Sequence, residues 1–179
     1  KIAGRVLDET NKYYYNGENG GVGTVTNTRE DGKGEPNATF DTLTGTLTLH
    51  GLTLTVSSDF AIEANNTNLT MNLEGENSIT QTGNTCAISI TKDLTISGAG
   101  KLTVRDSSAS GRSLIFANGK LEIKDGAVID AAKTGGEAQP IRVVGAVTIT
   151  GTNTSVKAVN NGNTTGSHAI QVYDSNGNN

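Results

Sequence analysis

The fold is decided by the stretch Ala87-Ile88-Ser89-Ile90, because four other stretches of the chain repeat its pattern in register. The central isoleucines follow one another at steps of 26, 27, 26 and 29 residues. These isoleucines are Ile62, Ile88, Ile115, Ile141 and Ile170. Self-similarity at a period of this length is typical of a protein built from stacked repeats.

Each repeat contains two further segments in which apolar residues occupy every second position, the spacing of a β-strand. The second segment begins about six residues after the isoleucine, and its apolar pairs are Leu94/Ile96, Leu121/Ile123, Val147/Ile149 and, in the earlier repeat, either Leu69/Met71 or Met71/Leu73. The third segment carries Ile79, Leu102 with Val104, Val128 with Ile129, and Val156. Thr, Val and Ile dominate these segments, and their branched side chains favour extended backbone.

No stretch has the apolar spacing of a helix with caps at both ends, so the parallel strands lack the helical crossover of a layered sheet. A chain that winds once per repeat and adds one strand to each of three parallel sheets satisfies this pattern. The sequence therefore predicts an all-β, single-stranded parallel β-helix of about 26 residues per coil with three short strands in each coil. The crossover rule for parallel strands favours right-handed winding. The five isoleucines are expected to stack inside.

Composition agrees with a narrow solenoid and excludes several functions. The chain has 179 residues, enough for one domain, with 34% hydrophobic and 4% aromatic residues. The net charge of −4 argues against nucleic acid, which needs a basic surface. No apolar run approaches the length that spans a membrane. The single cysteine, Cys86, cannot form an internal disulfide.

The chain divides into an N-terminal segment, 1–44, and the coils, 45–179. The first segment breaks the repeat period and carries Tyr13-Tyr14-Tyr15, followed by Phe40 and Leu43. The open end of a β-helix exposes core and strand edges, so we interpret 1–44 as an N-terminal cap. No comparable cap follows the last repeat, and we expect a fragment of a longer surface protein, monomeric within a multidomain chain.

Four stretches of the coils, 45–54, 61–64, 93–104 and 119–126, resemble the coils of right-handed parallel β-helix domains in surface proteins of Gram-positive bacteria. Among these is a carbohydrate-binding family similar in shape to pectate lyases. The leader from Tyr13 to Thr46 is similar to the N-terminal segment of those domains. The resemblance implies an extracellular or cell-surface location and calcium-assisted binding of acidic, plant-type polysaccharide.

A candidate ligand-binding surface follows from strand alternation. On the first strand of each repeat, the residue after the isoleucine points outward, and stacking aligns these residues into an exposed line, here called the outward stripe. Its members are Glu63, Ser89, Phe116, Arg142 and Gln171. An aromatic ring can stack on a sugar, and Arg142 suits a planar carboxylate. The alternative is that Phe116 packs against a loop or another molecule.

Acidic residues in turns supply the candidate metal ligands. Asp106 and Asp130 are 24 residues apart, near one repeat, and on adjacent rungs they could share a calcium ion. Glu74 and Glu76 form a second candidate pair. The alternative is that all four are solvated turn acids. No cofactor is required by the sequence, and calcium is the one that its acids could hold.

Three functions from different classes remain open. The first is a non-catalytic module that binds a polysaccharide or glycan. The second is a structural stalk or adhesin segment that meets host or matrix proteins. The third is a polysaccharide lyase or hydrolase. Glycoside hydrolysis needs two carboxylates that flank the bond, whereas the acids of this chain are scattered. The strings Asn-Thr-Asp and Gly-His-Gly, which hydrolases similar in shape to pectate lyases carry, are also absent. The sequence favours the first, with no catalytic residue assigned.

Overall fold

The computed structural model describes residues 1–26, 28–29, 34–106, 112–134, 138–162 and 168–174. The fold is a β-solenoid with parallel sheets and about 26 residues per coil, so the predicted fold class is confirmed. Right-handed winding stays a prediction. No helix in the described part of the chain is long and apolar enough to cross a lipid bilayer.

Sheet A contains five parallel strands, one from each repeat. They are β6 (Ile62–Ala64), β9 (Ile88–Ile90), β12 (Ile115–Ala117), β15 (Ile141–Val144) and β18 (Ile170–Tyr173). Each central isoleucine pairs with the isoleucine of the neighbouring strand, which confirms the predicted column. Ile62, Ile88, Ile115 and Ile141 are at most 1% exposed, whereas Ile170 on the edge strand is 36% exposed.

Sheet B has eight strands, of which five are parallel and three are antiparallel. The parallel strands are β4 (Thr46–His50), β7 (Leu69–Glu74), β10 (Leu94–Ser97), β13 (Leu121–Ile123) and β16 (Val147–Ile149). Leu94 pairs with Leu69 and Ile96 pairs with Met71, so the first of the two predicted alignments is correct.

Sheet C again has five parallel strands. They are β5 (Thr53–Val56), β8 (Glu76–Gln81), β11 (Lys101–Asp106), β14 (Val128–Lys133) and β17 (Ser155–Asn160). The pairing register shows which residues of this segment are equivalent. Val104 pairs with Ile79, so the position equivalent to Leu102 is Asn77, and Val128 faces outward while Ile129 takes the inward position.

The interior is a single apolar column bounded by the three sheets. The inward residues of sheets A, B and C alternate with partly exposed ones along nearly every strand from β4 to β15. Polar side chains also face the interior, and one of them, Asn77 near the start of a sheet-C strand, is 1% exposed. Its side-chain oxygen accepts a hydrogen bond from the Leu52 N–H (2.9 Å), and its amide nitrogen donates to the carbonyls of Glu74 and Lys101 (3.2 Å each).

The N-terminal segment extends the edge of sheet B. It contributes β1 (Tyr13–Tyr15), a 3-10 turn (Glu18–Gly20), β2 (Thr24–Thr26) and β3 (Ala38–Asp41). β3 pairs antiparallel with β4 of the first coil. Tyr14 is buried, and its hydroxyl accepts a hydrogen bond from the Gly23 N–H at 2.7 Å. Leu43, expected to lead into the coil, is 95% exposed in the turn. The role of 1–44 as a cap stays a prediction.

Candidate functional site

The outward stripe is present as an aligned row on sheet A. Glu63 pairs with Ser89, Ser89 with Phe116, Phe116 with Arg142, and Arg142 with Gln171. Alternation on the three-residue strands produces this row, because their buried first and third residues leave only the middle one outward. The sequence therefore placed all five side chains on one surface, and their role in binding stays a prediction.

The two ends of the outward stripe have different surroundings. At one end the Glu63 carboxylate contacts the Lys1 Nζ at 3.2 Å and accepts a 2.7 Å hydrogen bond from Asn65. Together with Lys1, the Asn65 hydrogen bond keeps the pKa of Glu63 below its ordinary value, against the raising effect of burial. At the other end, Phe116, Arg142 and Gln171 border an open groove.

The groove has a volume of about 330 Å³. Side chains from three rungs of sheet A and from the turns that precede them line it, chiefly Arg112, Phe116, Gln139, Arg142, Gln171 and Tyr173. Cys86, Ser113 and Ala138 complete the lining. Among the described residues, no Asp or Glu borders this groove.

Arg142 occupies the centre of the aromatic part of the groove. Its guanidinium carbon lies 5.6 Å from the centre of the Phe116 ring and 4.8 Å from the centre of the Tyr173 ring, both within cation–π distance. Phe116 is therefore half-buried and packs beside a cation on the outer face of sheet A. Arg142 itself remains exposed.

A second arginine makes the groove electropositive. Arg112, in the turn before β12, shares the lining with Arg142. Within the part of the chain that the structure describes, neither guanidinium has a carboxylate at ion-pair distance. Burial raises the pKa of the nearby Cys86 thiol, while the charges of Arg112, Arg142 and Lys133 act in the opposite direction. In a chain of net charge −4, the lining of this groove therefore carries a local positive charge.

The structure separates the predicted calcium ligands. Asp106 and Asp130 are on adjacent rungs, but Asp106 points inward and is 3% exposed, while Asp130 lies on the outer face of sheet C. The Asp130 carboxylate pairs with Arg105 at 2.8 Å, and the Asp106 carboxylate pairs with Lys133 at 2.5 Å. The two side chains therefore lie on opposite faces of sheet C, an arrangement that does not favour a shared ion, and calcium binding itself stays a prediction.

The second predicted pair also has other partners. Glu74 lies 3.5 Å from the His50 Nδ1, and Glu76 lies 3.4 Å from the Lys101 Nζ. Within the described ranges, no three His, Cys, Asp or Glu side chains are placed to hold a metal ion.

Of the six chief groove residues, sequence reasoning missed three, which are Arg112, Gln139 and Tyr173. The first two lie in the turns between sheets C and A, where the two-residue period gives no orientation. Tyr173 is the second outward residue of β18, so the alternation rule could have found it. A different, apolar cavity of about 220 Å³ lies near the first coil, bordered by residues such as Leu7, Phe40 and Leu69. Its lining lacks the paired arginines of the groove.

No family model, curated protein or solved structure matches this chain. The structure shows the β-solenoid architecture that the sequence resemblance implies.

Proposed function

We propose that this domain is a non-catalytic module that binds an acidic polysaccharide or glycan in the groove on sheet A. One observation carries the proposal: two arginines without carboxylate partners among the described residues line the same groove, and one of them is held against two aromatic rings. An arginine held in this way presents a planar donor group that matches a carboxylate.

The rest of the lining supplies the contacts that a sugar needs. Gln139 and Gln171 offer amide groups, and Phe116 and Tyr173 offer ring surface beside the guanidinium. The side-chain oxygen of Gln171 is buried without a hydrogen-bond donor, an uncommon state for a buried acceptor. A rotation of that amide would present its oxygen to a sugar hydroxyl.

The resemblance to carbohydrate-binding β-helix domains supports the same proposal and suggests an extracellular or cell-surface protein. Binding is favoured over cleavage, because no carboxylate among the described residues borders the groove and glycoside hydrolysis uses a carboxylate pair. Calcium-assisted binding is part of this proposal, and the titration below is therefore made with and without the ion.

The test is calorimetric titration with oligogalacturonate, with fully methyl-esterified oligogalacturonate as the uncharged control. We expect binding of the acid form and about tenfold or greater loss of affinity in Arg142→Gln, since a hydrogen bond to a charged group contributes about 1.5–3 kcal/mol. Lys124→Gln removes a cation that directly follows β13 and is not part of the groove lining, so it should leave the affinity unchanged. Equal binding of the acid and the ester would contradict the proposal.

Two arms of the same experiment separate the alternatives. Repeating the titration with calcium and with a chelator shows whether the metal contributes. Release of unsaturated products or reducing sugar from the polymer would instead support a lyase or hydrolase. The uninterrupted parallel ladders of sheets A and C also suit a rigid stalk, and failure to bind any member of a broad glycan array would favour that second candidate.

A further inference from the structure

A column of polar side chains runs inside the solenoid at the end of sheet C. The strands β8, β11, β14 and β17 each end on an inward polar residue, in register with its neighbours. The column consists of Gln81, Asp106, Lys133 and Asn160. The first three are at most 3% exposed, although burial of polar groups costs free energy unless they are hydrogen-bonded.

Members of this polar column donate hydrogen bonds to the backbone of the groove. The Gln81 amide donates to the Cys86 carbonyl at 3.2 Å. The Lys133 ammonium donates to the Arg112 carbonyl at 2.9 Å. The Asn160 amide donates to the Ala138 carbonyl at 3.2 Å. All three acceptors are groove-lining residues in the turns from sheet C to sheet A.

Lys133 is the member of the column that bears most directly on binding. It donates a hydrogen bond to the backbone carbonyl of Arg112, one of the two groove arginines. The ammonium is also bonded to the Asp106 carboxylate at 2.5 Å, and both side chains are fully buried. An ion pair buried in this way is weak evidence for stability, since an apolar pair of similar volume often stabilises a fold as well or better. The feature that an apolar pair would lack is the hydrogen bond to Arg112.

We infer that Lys133 is a positioning residue for the groove. Its ammonium, held by Asp106, fixes the backbone of Arg112, so that the Arg112 guanidinium lines the groove together with Arg142. Gln81 and Asn160 fix the two neighbouring turns in the same way. The predicted loss of affinity rests on the proposed function, whereas the predicted change in backbone amide exchange does not.

The main test replaces the ion pair with apolar side chains in the double variant Asp106→Leu/Lys133→Met. Because such replacements are often neutral for stability, we expect a melting temperature within about 5 °C of the parent. Affinity for oligogalacturonate should fall about tenfold or more, because displacing a positioned group by about 1 Å has effects of this size or larger. Backbone amides of 112–114 should exchange faster with solvent.

Asn77→Leu is the matched control. Asn77 is also an inward polar residue of sheet C, but its hydrogen-bond partners are Leu52, Glu74 and Lys101, none of which lines the groove. This variant should lower the melting temperature and leave both the affinity of the folded protein and the exchange of 112–114 unchanged.

The outcomes are separable. A folded double variant with parental affinity and parental exchange at 112–114 would overturn the inference. If the parent itself does not bind oligogalacturonate, the proposed function fails, and the exchange rates alone still decide whether Lys133 fixes the turn. If the double variant does not fold, Asn160→Leu on the last sheet-C strand replaces it. Unchanged exchange around Ala138 in that variant would count equally against the inference.

Discussion

The guanidinium carbon of Arg142 lies 4.8 Å from the centre of the Tyr173 ring, which belongs to the next rung of sheet A. Tyr173 pairs in register with Val144, so the arginine reaches diagonally across the outer face to meet it. The contact joins the one cation of the outward stripe to an aromatic residue outside the stripe. It gives a long, flexible side chain a preferred position on an exposed surface.

Removing this support should weaken the proposed binding without abolishing it. A cation–π contact at an exposed site contributes about 0.5–1 kcal/mol, so Tyr173→Ala should lower the affinity for oligogalacturonate about two- to fivefold. Tyr173→Phe keeps the ring and should bind like the parent. Calorimetric titration of both variants measures the difference. Equal affinity in the parent and Tyr173→Ala would show that the ring does not support Arg142.

The isoleucine column should carry much of the stability. Ile115→Ala removes a 1% exposed side chain from the middle of the column and should cost about 2–5 kcal/mol in the free energy of unfolding. Ser89→Ala, at an outward position of the same sheet, should change it by no more than about 0.5 kcal/mol. Urea denaturation followed by circular dichroism compares the two. A similar small effect of both substitutions would contradict the stacked interior.

Two turn glycines should respond differently to alanine. Gly98 has a φ of +93°, and an added Cβ would lie 2.5 Å from the Leu73 carbonyl oxygen. Gly75 has a φ of +63° but no heavy atom within 4 Å of that position. Gly75→Ala should therefore cost only the left-handed backbone term of about 1–2 kcal/mol, whereas Gly98→Ala should cost clearly more. The free energies of unfolding in urea provide the comparison, and an equal loss would refute the close approach.

The Arg105–Asp130 pair should make part of the stability depend on pH. The hydrogen bond from Arg105 lowers the pKa of Asp130 below its ordinary value of 3.8, with Lys157 and Lys101 adding to the effect. Because the folded-state pKa is the lower one, the contribution is present above pH 3.8 and is lost as pH falls through the lowered pKa.

Urea titrations between neutral pH and pH 2 should therefore show the parent's advantage over Arg105→Gln shrinking below pH 3.8. The advantage itself should be small, since the pair is partly solvated. The control is the same comparison in the Asp130→Asn background. There, Arg105→Gln should change the free energy of unfolding by an amount that is nearly independent of pH, because the titrating carboxyl is gone. A difference between parent and Arg105→Gln that stays constant with pH would rule out this linkage.

Alternation of apolar residues was sufficient to predict sheet A. Ile88 and Ser89 show why: on a strand of three residues the inward and outward positions follow directly from the period of two. The same rule gave the order of the outward stripe along the solenoid. It was less direct in sheet C, where the inward position equivalent to Leu102 holds the polar residue Asn77.

The charged interior was not predicted, although the same pattern contains part of it. Asp106 continues the two-residue alternation of its strand and is therefore inward, but it also precedes the Ser- and Gly-rich stretch 107–111 and had the sequence signature of a solvated turn acid. Its charge partner, Lys133, lies on the next rung and meets it only once the coil is formed. Arg112 lies outside the strands, where the period of two gives no orientation.

The most direct test of acidic-glycan binding is nuclear magnetic resonance of the five arginine side-chain Nε–H groups during titration with trigalacturonate. We predict that the resonances of Arg112 and Arg142 shift together and saturate at one ligand concentration. Those of Arg5, Arg29 and Arg105 should stay in place. Shifts confined to these three, or no saturable shift at all, would contradict the account of the groove.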